Sequence, residues 1–273
     1  MTDVAIHSPQ ELFLAWEREP WSSQEIELDG DRAQWEGLDA VQRDAVLWAL
    51  SSLIVAEERI TTLFTGLVLA ADDEEETAYL ATQQVDEARH LQFYARFQNE
   101  VVADPDAIAA HVARAREHLG EPFRHIFDEA LVAAHDRLVR DPRDRGAKVE
   151  FVTLYHQVIE GTLGVTAFHF ISGYLEENGL LPGFVEGYRR IARDEQRHVA
   201  YGTGFLRTAV AEDAAMGERV RSTLHEQLPW VAQALEPPAA DGDGPAFGVE
   251  PDDVRAFALD GLTRRLKIIG VGL

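Results

Sequence analysis

The sequence predicts an all-α protein organised around a four-helix bundle with additional helices. Three observations lead there. Apolar residues recur at alternating spacings of three and four along four long segments, the pattern of a bundle seam. A Glu followed three residues later by a His occurs twice, in Asp86-Glu87-Ala88-Arg89-His90 and in Asp194-Glu195-Gln196-Arg197-His198. The other two segments each carry one Glu inside the apolar stripe, Glu57 and Glu160.

The chain of 273 residues has no Pro/Gly-rich break before residue 236, which favours one domain over residues 1–273. A net charge of −23 argues against nucleic acid and anionic membrane surfaces as partners. The absence of cysteine excludes disulfides, thiolate metal sites and a Cys nucleophile. It fits a cytoplasmic protein. The first ten residues lack the pattern of a signal peptide, and no apolar run is long enough to predict a membrane span.

Residues 1–38 read as an N-terminal arm holding Trp16, Trp21 and Trp35, with a short helix near 8–18 and breaks at Pro20 and Gly30. The first long helix is predicted from Asp39 to Ala71, with the stripe Val46, Leu50, Leu53, Glu57, Ile60, Phe64, Leu67. Glu58 lies about 100° away from Glu57, so Glu57 is the inward carboxylate. The second helix, from Asp73 to Ala103, carries Leu80, Gln83, Glu87, His90, Tyr94, Phe97 and Val101, with Asp72 or Asp73 as cap.

Helices near 106–119 and 122–140 follow, separated by Gly120; their His111, His118, His125 and His135 lack recurring acidic partners and read as surface or packing residues. The third bundle helix runs from Arg145 to Asn178, through Val149, Thr153, His156, Glu160, Leu163, Ala167, Phe170 and Tyr174, with Gly179 after its end. The fourth runs from Pro182 to Glu212, through Phe184, Tyr188, Ile191, Glu195, His198, Gly202 and Phe205. A helix over 214–235, a loop or linker over 236–249 and a last helix over 251–268 complete the chain, residues 236–273 forming a C-terminal loop and helix.

Four carboxylates facing one another among aliphatic side chains are tolerable only around cations. The predicted ligands are Glu57, Glu87 and His90 for one metal and Glu160, Glu195 and His198 for the other, with Glu87 and Glu195 bridging. Oxygen donors with one imidazole per ion suit iron or manganese, as Mn/Fe or Fe/Fe. A metal-bound His usually gives its other N–H to a carboxylate, and Asp86 and Asp194 are placed to serve the His of the opposite pair.

At these residues the chain resembles the ribonucleotide reductase small-subunit superfamily, a branch of the ferritin-like folds. The likeness spans about residues 20–210, including Pro20-Trp21, Asp31-Arg32-Ala33-Gln34-Trp35, Glu57-Glu58, Asp86–His90, Tyr155–Gly161, Leu181-Pro182-Gly183 and Arg193–His198. Within it the chain looks most like the ligand-binding oxidases, whose site holds manganese, iron and a long-chain fatty acid. That resemblance implies O2 activation, an apolar ligand and a homodimer. It also implies an ether bond between Tyr155 and Ile60, which stand where the oxidases carry the joined Tyr and Val.

Helical spacing alone does not select Tyr155, which lies about 140° from Glu160 on an ideal helix. Tyr94 stands where reductase small subunits hold a radical tyrosine, and Trp21 resembles the tryptophan that feeds electrons to their metals through positions matching Asp194 and His90. The alternative reading is therefore a reductase small subunit. A C-terminal segment without tyrosine after Tyr201 favours the oxidase. Gly161, Gly164, Ala167 and Gly202 either leave room for an apolar ligand or allow close helix packing.

Overall fold

The computed structural model describes residues 6–118, 120–235 and 249–272. The predicted segment 236–249 lies outside them, apart from Val249, as do the side chains of His111 and His118. Every regular element among the described residues is helical, so the fold is of the predicted all-α class, four long bundle segments with added helices. None of the described helices is long and apolar enough to cross a membrane.

Helix α1 (Pro9–Arg18) starts with a reciprocal cap in which the Ser8 hydroxyl accepts from the Glu11 amide and the Glu11 carboxylate accepts from the Ser8 amide. A single 3₁₀ turn, Ser23–Glu25, leads to α2 (Asp29–Gly37). No pattern in the sequence points to α2: Gly30, read as a break, lies in its first turn. What holds α2 is tertiary. Trp35 is buried, and the Asp31 carboxylate accepts from the amides of Gly183 and Phe184 at 2.8 and 2.7 Å. Asp31 thereby satisfies the first amides of α11 (Pro182–Glu212), whose own preceding residue, Leu181, supplies no side-chain cap. Asp31→Ala is expected to destabilise the protein by about 0.5–2 kcal/mol, the range for a lost cap. A lowered urea midpoint at unchanged m-value would show it.

The first bundle segment is interrupted. α3 (Ala40–Leu63) ends at Phe64 and a short α4 (Thr65–Leu69) follows, where an unbroken helix to Ala71 was expected. α5 (Glu74–Phe97) is capped by Asp73, whose carboxylate accepts from the Glu76 amide at 2.8 Å. It widens into a π-helical stretch over Gln98–Val102 and stops at Ala103 in the left-handed region (φ 52°). α6 (Pro105–His118) follows, and Gly120 (φ 64°) stands at the predicted break. α7 (Gly120–Phe123), a π-helical stretch over Arg124–Ala130 and α8 (Leu131–Arg140) come next.

The third bundle segment is a composite: α9 (Arg145–Val152), a π-helical stretch over Thr153–Gly164, then α10 (Val165–Glu177), with Gly179 at φ 61° after its end. α12 (Ala214–Ala234) and α13 (Pro251–Ile269) pack against the π-helical stretch and α11.

Two clusters of buried apolar residues share these helices. One holds Phe64, Leu80, Phe151, Tyr155, Tyr201 and Leu206; the other holds Leu50, Phe93, Tyr94, Phe184, Tyr188 and Ile191. Along α3 the chain passes from Leu50 and Ile54 of the second cluster to Ile60 and Phe64 of the first, with Glu57 between. Glu87 and His90 sit between Leu80 and Phe93 on α5, and Glu195 and His198 between Ile191 and Tyr201 on α11. The polar residues thus fall at the junction of two apolar bodies.

Candidate metal centre

The six residues singled out by periodicity meet inside the bundle. Glu57 comes from α3, Glu87 and His90 from α5, Glu160 from the π-helical stretch, and Glu195 and His198 from α11. All are buried, whereas Glu58 is exposed. Their donor atoms form two sets, each within 4.8 Å: Glu57, Glu87, His90 and Glu195, and Glu87, Glu160, Glu195 and His198. Glu87 and Glu195 belong to both.

The residues fit a pair of cations because their inward atoms lack protein partners. Glu57 Oε2, Glu160 Oε2, Glu195 Oε2, His90 Nδ1 and His198 Nδ1 are buried without a hydrogen bond. Such orphans are costly unless something else satisfies them. His90 Nδ1 lies 3.3 Å from Glu87, 3.4 Å from Glu195 and 3.7 Å from Glu57. His198 Nδ1 lies 3.4 Å from Glu87 and Glu160 and 3.6 Å from Glu195.

The electrostatics of the metal-free protein express the same frustration. Burial pushes the carboxyls of Glu57, Glu160 and Glu195 upward, and carboxylate neighbours add to it: Glu87 for Glu57 and Glu195, and Glu195 for Glu160. Glu87 is also desolvated, but His198, His90 and the Tyr155 hydroxyl outweigh that and hold it at about 2. Burial works against the charged form of both imidazoles, yet Asp194 and Glu87 raise His90, and Glu87 and Glu160 raise His198.

Behind the imidazoles, the carboxylates cross over. His90 Nε2 lies 3.3 Å from Asp194 Oδ2, and His198 Nε2 lies 3.2 Å from Asp86 Oδ2. With these nitrogens protonated, each Nδ1 lone pair is aimed at the carboxylate sets. Trp21 Nε1 donates to Asp194 Oδ2 at 2.8 Å.

A family model for the ribonucleotide reductase small chain matches residues 4–230. The chain belongs to that family. Several solved structures share the fold of this reductase small-chain member. An R2-like ligand-binding oxidase variant with anaerobically reconstituted Mn/Fe cofactor superposes with a TM-score of 0.84 at 22% identity, over 97% of this chain and 94% of the other. Another variant, with aerobically reconstituted Mn/Fe cofactor, gives 0.83 at 21% identity over the same shares. The R2-like ligand-binding oxidase from Sulfolobus acidocaldarius gives 0.83 at 21% identity, over 97% of this chain and 91% of the other.

In this family member Tyr155 is fully buried and donates its hydroxyl to Glu87 Oε1 at 2.9 Å. The π-helical turn explains how it gets there. Bonding from i to i+5 brings residues five apart onto one face, so Tyr155 and Glu160 align as an ideal α-helix would not allow. Ile60 is buried in the same apolar cluster as Tyr155. Tyr94 is fully buried against Phe93 and Tyr188, its hydroxyl without a partner.

Sequence reasoning missed four participants. Gln83, on the α5 stripe, donates to Glu160 Oε1 at 3.0 Å. His156 lies 3.2 Å from Gln83 Oε1 through Nε2, and burial followed by repulsion from His198 lowers its pKa to about 3, so it is neutral. Arg89 and Arg197 brace both aspartates: Arg89 lies 3.2 Å from Asp86 and 3.6 Å from Asp194, and Arg197 pairs with Asp194 and lies 3.4 Å from Asp86. The repeated Arg before each His was the available signal.

Two glycines do not leave the room the sequence allowed for. A Cβ on Gly202 would stand 2.3 Å from His156 Cβ, and one on Gly161 would stand 2.6 Å from the His156 carbonyl and 3.0 Å from the Arg265 guanidinium. Both mark close packing. His135, by contrast, packs as expected, its Nδ1 lying 2.7 Å from the Leu63 carbonyl, and His125 stacks on Trp230.

Proposed function

We propose that this chain is an O2-dependent dimetal oxidoreductase of the oxidase or monooxygenase type, which oxidises a C–H bond of a bound apolar ligand. The observation that carries this reading is the pair of buried donor sets sharing Glu87 and Glu195. Glu57, Glu87 and His90 would hold one ion, Glu160, Glu195 and His198 the other, as Mn/Fe or Fe/Fe. The Mn/Fe cofactor of the oxidases with this fold supports the mixed pair. When bound, the ions supply O2 activation and one-electron redox chemistry.

The protein's own part is placement and exclusion. Asp194 and Asp86 fix the imidazoles, and Arg89 and Arg197 each reach both of those carboxylates and hold them in place. The two apolar clusters keep water from the reacting atoms. Trp21, hydrogen-bonded to Asp194, is an entry point for electrons. Tyr155 presents its O–H beside Glu87, and Ile60 has a tertiary Cβ–H one helical turn from Glu57. Joining Tyr155 Oη to Ile60 Cβ forms one C–O bond and breaks one O–H and one C–H bond. Two protons and two electrons leave, and O2 is the acceptor. The apolar ligand, a long-chain fatty acid in this reading, would lie near Gly164 and Ala167, where the third segment is only partly buried. A cytoplasmic homodimer completes the reading.

Oxygen uptake by protein reconstituted with Fe(II) and Mn(II) tests the function; no uptake overturns it. Aerated wild type is expected to be lighter by two hydrogens in intact-mass spectra, and Tyr155→Phe to abolish that loss. A loss that persists in Tyr155→Phe excludes the bond.

A second reading, a reductase small subunit, has the buried Tyr94 in its favour. It predicts a tyrosyl radical signal that vanishes in Tyr94→Phe and nucleotide reduction with a large-subunit partner.

A further inference from the structure

Trp16 has no role in the reading above, yet its surroundings repeat those of Trp21. Its indole Nε1 donates to Asp86 Oδ1 at 2.8 Å, and the other oxygen of Asp86 lies 3.2 Å from His198 Nε2. Trp21 makes its bond to Asp194 at the same 2.8 Å, and Asp194 lies 3.3 Å from His90 Nε2. Two chains of indole, carboxylate and imidazole therefore run inward side by side, and each ends in a different donor set. Both indoles are half-buried, so each chain has an outer end near solvent and an inner end at a fully buried imidazole. Arg89 lies between them, its guanidinium carbon 5.9 Å from the Trp16 ring and 5.1 Å from the Trp21 ring.

We propose that Trp16, Asp86 and His198 form a second electron-entry arm, so that each metal position has its own route from the surface. The proposal rests on the dimetal reading. Indole is a readily oxidised ring, and hydrogen-bonded links couple donor and acceptor better than van der Waals gaps do. Each arm carries one electron from a one-electron reductant to one trivalent ion, which becomes divalent. The reductant is oxidised by one electron, the indole is neutral before and after, and no bond is made or broken. Two electrons return the pair to its divalent state.

The test is anaerobic reduction of the oxidised, metal-loaded protein by reduced methyl viologen, followed by stopped-flow absorbance with neither O2 nor ligand present. Metal content is measured first. Wild type is expected to show a fast phase that Trp16→Phe and Trp21→Phe each diminish and the double variant abolishes, with two metals retained throughout. Trp16→Phe also removes the indole hydrogen bond to Asp86, which faces His198, whereas Trp21→Phe keeps every residue of the Trp16 arm, so the fast phase that remains in it reports on that arm. If Trp21→Phe alone abolishes the fast phase, or Trp16→Phe leaves it unchanged, the second arm carries no current and the proposal is overturned. A wild type that binds no metal sinks the dimetal reading and this proposal together; a wild type that binds two and is reduced through Trp21 alone sinks only this one.

Discussion

Glu87→Ala is expected to strip the protein of both metals. Its carboxylate belongs to both donor sets, so one substitution removes an oxygen from each. It also leaves the Tyr155 hydroxyl, which donates to Glu87 at 2.9 Å, without its partner. Metal per chain after dialysis, read by elemental analysis, should fall from two towards zero, with loss of O2 uptake. Asp194→Asn, one layer further out, is expected to weaken metal binding about 10–100-fold, the usual cost of losing a group that orients a ligand. If the Glu87→Ala chain still holds two ions, the bridging role of Glu87 is wrong.

The second large effect concerns pH. In the metal-free protein Glu57, Glu160, Glu195, His90 and His198 all have folded pKa values above their ordinary ones. A raised pKa means that the folded state binds more protons than the unfolded one above the ordinary value. Stability is then lost as pH rises. For the three carboxyls the loss begins near pH 4.5 and for the imidazoles near 6.5, their unperturbed values. Glu87, held at about 2, acts in the opposite sense: its contribution is present above 4.5 and lost as the solution becomes more acidic.

The melting temperature of metal-free protein should therefore fall from pH 6 to 8. Metal loading should reverse this, because ions compete with protons for the same atoms and bind better as pH rises. Free metal at 100 times its dissociation constant adds about 2.7 kcal/mol per site, and each kcal/mol moves the melting point by about 2–4 °C in a chain of this size. Calorimetry with and without metal checks both signs. A metal-free melting point that climbs over this range would refute the electrostatic account.

Much of the site was legible because α-helical periodicity holds at five of the six candidate ligands; the sixth, Glu160, lies in the π-helical stretch and was marked by its place among apolar neighbours. On α3, α5 and α11 the spacing of three and four put Glu57, Glu87, His90, Glu195 and His198 on one face, and rejected Glu58. It failed where the backbone leaves that period. Tyr155 points at the site because the turn carrying it bonds from i to i+5, and no propensity announces a π-helical stretch. The helix α2 was hidden for another reason: Asp29-Gly30-Asp31 has no apolar stripe, and its order comes from Asp31 and Trp35 meeting distant partners. Gly202 could be read as space or as contact, and only the placement of His156 decides it.

The junction of the two apolar clusters has a consequence for cooperativity. With Glu57, Glu87 and Glu195 at the boundary on α3, α5 and α11, a bound pair of ions would act as rivets between the two halves. Without them the halves should breathe apart. Amide exchange around residues 55–60, 85–92 and 193–200 would quicken first, while the aromatic interiors on either side hold their protection.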